Sequence, residues 1–294
     1  MAVVANHATD WPFGGGADTL MILVGYNLAR FQFGRFVDGR FWEVILRQAS
    51  KVVLPYYGLL ALYHFAVRPV ERSSWLLASN FEGRFGNALE PFWFIEAFLQ
   101  CLVIMLLISF VPGAKQLAKR FPLRFGLVIL TLSVVIKALS TQFADHGALL
   151  SRTPDEVFIF IAFGWCLFFA KQPFAKILLL LAALVFFLAA TGIVSESWWH
   201  SIGTGFRGTW VLATAAMLLY FNRFPIPSFV RTCAVIISTA SFTIYLFHIF
   251  AIQVTVTRLN NSTQLMAFLA GLLSGIIIHY ILAKVLLIIN KALA

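Results

Sequence analysis

The residues with most chemistry to offer are ionisable groups set in or beside apolar stretches. His7 ends a short apolar segment, the turn Gly14-Gly15-Gly16 follows, and Asp18 stands at the mouth of the next apolar run. Glu96 lies in Trp93-Phe94-Ile95-Glu96-Ala97-Phe98-Leu99, and His248 closes Ser241-Phe242-Thr243-Ile244-Tyr245-Leu246-Phe247-His248. Charge at the edge of hydrocarbon is costly, so each group is a functional candidate by default. Glu96 costs about 3 kcal/mol at mid-helix on insertion scales and needs a partner or a task. A histidine, with a pKa of about 6.5, can take a hydroxyl proton at neutral pH or carry a group covalently. A nearby carboxylate could hold its ring and stabilise the cation. Glu96 is preferred to Asp18 for that role, because Asp18 could simply cap the helix it opens.

Basic residues form a second set. Arg47 and Lys51 stand four apart before Pro55-Tyr56, and Arg30 ends the apolar run that Asp18 opens, roughly 18 Å further along a helix. Such residues suit phosphate groups. The plainer reading of Arg30, Lys137 and Lys284 is that they snorkel to an interface. His64 and His279 read as packed, hydrogen-bonded histidines. Cys101, Cys166 and Cys233 match no metal spacing and read as buried apolar residues without a disulfide.

These groups must be held by helices in a membrane. The 294-residue chain is 61% hydrophobic, 16% aromatic and 12% charged, against about 25% charged for soluble domains, and its mean hydropathy is +0.88. No alternating strand pattern is visible, so the fold class is an all-α, polytopic bundle. Runs long enough to span lie near 16–33, 52–67, 91–111, 123–141, 156–170, 174–194, 208–221, 231–256 and 264–289. Residues 1–8 form an apolar stub, which predicts a first helix cut short and about ten in the intact protein. One membrane domain, 1–294, is expected. Alternate loops hold 13 and 6 basic residues. By the positive-inside rule the richer set, including the loops 34–50 and 112–122, is cytoplasmic, with both termini inside. The excess of 10 positive charges is thus a topology signal and does not imply nucleic acid. His7, Asp18, Glu96, Lys137 and His248 would then share the outer half of the membrane.

Five stretches, in order along the chain, resemble the acyltransferase-3 family of integral-membrane acyltransferases. Val3-Val4-Ala5-Asn6-His7 resembles the end of the family's first helix, whose histidine is taken as catalytic. Gly16–Tyr26 resembles the second helix, and Arg47–Tyr56 the basic pair before a Pro-Tyr. Pro91-Phe92-Trp93-Phe94 resembles a Trp-Phe-Leu element, and Ser241–His248 a late Ser-Tyr-x-Ile-Tyr-Leu-x-His signature. Arg47 and Lys51 depart from the usual Arg-x-x-Arg, and Val24 stands where serine is common. The family's arginine eleven positions before the catalytic histidine has no counterpart in this chain.

The resemblance implies transfer of an acyl group, usually acetyl, from cytoplasmic acyl-CoA to a hydroxyl of a glycan, lipid or other acceptor, in a bacterial inner membrane. It implies no bound cofactor, since acyl-CoA is a donor substrate. His7, with Glu96 or Asp18, would be catalytic. Arg47, Lys51 and Arg30 would bind donor, and Trp93, Tyr245 and His248 would contact substrate. A competing class is a transporter or flippase of a small anion or lipid, which would use the same intramembrane charges. A membrane scaffold leaves Glu96 and His248 unexplained.

Overall fold

A computed structural model describes residues 16–66, 69–81, 93–143, 153–190, 205–221, 225–258 and 263–293. Among them there is no strand, and the chain is an all-α bundle. The described residues divide into two compact units, 16–221 and 225–293.

The larger unit is built around one helix. The helices in chain order are α1 (Gly16–Asn27), α2 (Phe33–Val37), α3 (Phe41–Gln48), α4 (Leu54–Ala66), α5 (Arg72–Trp75), α6 (Trp93–Phe110), α7 (Ala114–Arg120), α8 (Pro122–Phe143), α9 (Pro154–Phe169), α10 (Pro173–Ala190) and α11 (Gly205–Tyr220). α9 is buried on nearly every face, as a helix apolar all round must be. It packs against α1, α6, α8, α10 and α11. Small residues set the closest crossing: a Cβ on Gly25 would overlap the backbone of Ile161, and one on Gly164 would overlap that of Ile22. Beyond the Gly25–Ile161 contact, the ring contacts Tyr26–Phe168 at 5.3 Å and Phe33–Phe169 at 5.0 Å advance along both segments, so α1 and α9 run parallel. α8 runs antiparallel to α9, since Gly126 meets Trp165 while Lys137 meets Asp155.

The smaller unit contains α12 (Ser228–Arg258) and α13 (Gln264–Leu293). They form an antiparallel pair around Ala240, Ile244, Ile252, Ala267 and Leu272, with Gly275 against the Ile244 backbone.

All nine expected spans fall on helices. Four are long and apolar enough by themselves to cross a membrane: Trp93–Phe110, Pro122–Ser140, Ser228–Val256 and Gln264–Lys284. The reading of 34–50 as a loop is corrected. The chain is helical again from Phe41, and α3 continues through a π-helical turn (Ala49–Val53) into α4. Glu43, Arg47 and Gln48 interrupt the apolar run, so hydropathy misses a helix that buries only Phe41 and Val44. The π turn directly precedes Pro55. Proline has no N–H and clashes with the carbonyl four residues back, and a wider turn relieves both. A second π turn, Leu28–Gln32, joins α1 to α2.

Candidate active site

Glu96 sits in the first turn of α6 and is 0% exposed. Its carboxylate is the hub of a polar network. Tyr56 Oη on α4 donates to Oε1 at 2.7 Å, Ser79 Oγ lies 2.8 Å from each oxygen, and the Asn80 backbone N–H donates to Oε2 at 3.2 Å. One turn on, Gln100 pairs reciprocally with the Asn80 amide at 2.9 Å and donates to the Leu77 carbonyl at 2.6 Å. Leu77 has φ +57°, a conformation uncommon outside glycine. Glu96 and Gln100, on one face of α6, therefore fix the backbone of 77–80, while Tyr56 ties that segment to α4. Beside it Tyr57 stacks on Trp75 and donates to its carbonyl at 2.8 Å. His64 Nδ1 accepts the Val70 N–H at 2.9 Å, a structural task as expected.

Asp18 is 4% exposed and lies on the stripe Asp18, Met21, Ile22, Gly25 that α1 buries. The parallel packing of α1 and α9 sets it level with the first turn of α9. Cys101 Sγ lies 4.0 Å from the Pro154 carbonyl, so α6 begins at that same end. Lys137 is there too. It does not snorkel but pairs with Asp155 at 3.6 Å and Glu156 at 4.0 Å, and Ser140 Oγ donates to Asp155 at 2.7 Å. Asp18, Glu96 and Lys137 thus share one end of the larger unit, as the depth argument expected.

The opposite end is basic. Arg35 pairs with Glu43 at 3.4 Å, and Arg40 with Asp38 and Glu43 at 3.5 and 3.8 Å. Lys115 Nζ lies against Gly39, whose φ of +75° glycine tolerates. Lys171 sits over the Phe168 ring and Lys176 over Tyr220. Arg30 is exposed, its guanidinium 4.9 Å from the Phe31 ring centre. Arg47 and Lys51 are both exposed and one turn apart. They lie roughly 9 and 15 Å along the helix from Phe41, and Lys51 is about 8 Å short of Tyr56.

Trp93 is half-buried at the start of α6, with Phe94 edge-on at 6.0 Å. In the smaller unit His248 is 0% exposed, with Nδ1 2.6 Å from the Tyr245 carbonyl and 3.2 Å from that of Ile244. A carbonyl only accepts, so Nδ1 carries a proton. The Tyr245 ring is 5.8 Å from the imidazole. His279 pairs with Thr243 at 3.5 Å, the bland role expected of it. Cys101 and Cys166 are buried and Cys233 half-buried, all as thiols. His7 lies outside the described residues.

Tyr56, Ser79, Asn80 and Gln100 had no assigned part in the sequence reading, nor had Asp155 and Glu156 as partners of Lys137. Gln100 was legible as the i+4 neighbour of Glu96 on a helix. Ser79 and Asn80 sit in a short polar segment that only tertiary packing brings to α6.

An apolar helical bundle with buried carboxylates at one end and basic residues at the other defines an integral membrane protein built to handle polar groups. The family model of the acyltransferase-3 family, described as an acyltransferase domain, matches residues 13–284, nearly the whole chain. The chain belongs to that family and is a membrane acyltransferase. Searches of curated proteins and of solved structures gave no match.

Proposed function

We propose that the protein moves an acyl group, acetyl in the first instance, from cytoplasmic acyl-CoA to a hydroxyl of a glycan or lipid at the outer side of a bacterial inner membrane. The observation that carries this reading is the polarity of the larger unit within a family of acyltransferases: cations at one end, buried carboxylates at the other. Cations face the cytoplasm by the positive-inside rule. CoA phosphates on Arg47 and Lys51 would leave the thioester arm roughly 8–14 Å to cover to the level of Tyr56.

His7 as base or acyl carrier, and Asp18 as the carboxylate that stabilises its cation, are the sequence-based part of the proposal. Three donors already converge on Glu96, which favours a positioning role for it: it orders residues 77–80 and the Tyr56 side of α4. Trp93, Tyr245 and His248 remain candidates for substrate contact, with Arg30 a further donor-binding cation.

Replacing Arg47 and Lys51 together by Ala tests the donor site. The KM for acetyl-CoA should rise about tenfold or more at low salt with kcat little changed, and the difference should shrink as salt screens the charge. An unchanged KM at low salt would remove the pair from donor binding.

A further inference from the structure

α6 and α8 both pack on α9, and α7, which joins them in sequence, packs against both. Between them runs an apolar groove of about 670 Å³, lined by Ile108, Leu117, Phe125, Ile129, Leu132 and Phe158 among others. Three features say what fits it. Along α8 the lining runs from Phe125 to Ile136, roughly 16 Å, about half the ~30 Å hydrocarbon core and so the depth of one leaflet. Its far end meets the Lys137–Asp155 pair, a polar stop for a hydrocarbon chain. At the near end, Arg124, Val128, Leu132 and Ile136 follow one another at i+4 spacing on α8, so Arg124 leads into the lined row, and Arg120 ends α7 just before it. Both are exposed, with guanidinium carbons 5.3 and 4.8 Å from the centre of the Phe121 ring, which gathers them at the mouth.

We propose that this groove holds one acyl chain of an anionic phospholipid from the leaflet at the basic end, with the lipid phosphate on Arg120 and Arg124. Guanidinium groups recognise phosphate bidentately, and the apolar row below accepts the chain. The site does not depend on the catalytic proposal, because none of its residues belongs to the candidate acyl-transfer machinery.

Native mass spectrometry of the purified protein tests it, with phosphatidylglycerol and phosphatidylcholine of identical chains supplied at equal concentration. Two arginines near a lipid surface together favour the net anionic headgroup, so wild-type protein should retain phosphatidylglycerol about thirtyfold more strongly. Arg120→Gln with Arg124→Gln should bring the ratio near one. Leu132→Trp fills the groove from its own wall and should lower occupancy by both lipids. Equal retention of the two lipids by wild-type protein would overturn the proposal. So would an unchanged preference in the double arginine variant, whose substituted side chains are exposed.

Discussion

Glu96 shows how a single buried charge can be conspicuous in sequence while its partners are not. Its position in an apolar helix demands a partner, and the structure supplies Tyr56, Ser79 and Asn80. Glu96→Gln keeps the shape but sets an NH₂ group against donors. Each lost hydrogen bond to the charged group is worth about 1.5–3 kcal/mol. The variant should therefore melt several degrees lower, and the folded fraction should keep kcat/KM within about tenfold of wild type. Tyr56→Phe should reproduce the loss of stability. A fall of a thousandfold or more in kcat with an unchanged melting temperature would make Glu96 catalytic instead. The demand for a partner was legible in the sequence. Its source was not, because Tyr56 is forty residues away on another helix.

At the level of elements, the crossing of α1 and α9 holds the larger unit together. In most helices Gly→Ala stabilises by up to about 1 kcal/mol. At Gly164 the new methyl would meet the Ile22 backbone, which cannot rotate away. Gly164→Ala should cost about 1–3 kcal/mol, the usual cost of overpacking, and lower the yield of monodisperse protein. Gly58 on α4 has open space around its missing Cβ, so Gly58→Ala should be neutral or stabilising. Thermal unfolding of the two variants side by side checks the contrast; equal melting temperatures would contradict the close crossing. Hydropathy located every helix that is apolar throughout. It missed α3 because a helix with Glu43, Arg47 and Gln48 on its surface has no apolar window, although its apolar residues recur at helical spacing.

For the molecule as a whole, the separation of charge connects fold to function. Among the described residues the alternation of basic loops along the sequence is reproduced in space: the turns after α1, α6 and α9 carry their cations to one end of the larger unit, where Lys176 of α10 lies over Tyr220 at the end of α11. Asp18, Glu96 and the Lys137 cluster lie at the other. On the proposal above, a donor carrying several phosphates would meet the basic end and an acceptor the other, within a family of acyltransferases. The most direct measurement is release of free CoA from radiolabelled acetyl-CoA by the purified whole protein, wild type against His7→Gln, in the presence of its membrane extract as acceptor. The wild type should cleave the thioester and pass label to the extract. His7→Gln, which cannot take a proton near neutral pH, should lose about 10²–10⁴-fold in turnover while still binding acetyl-CoA. Wild-type turnover in the His7→Gln protein would contradict the assignment of His7 as base or acyl carrier.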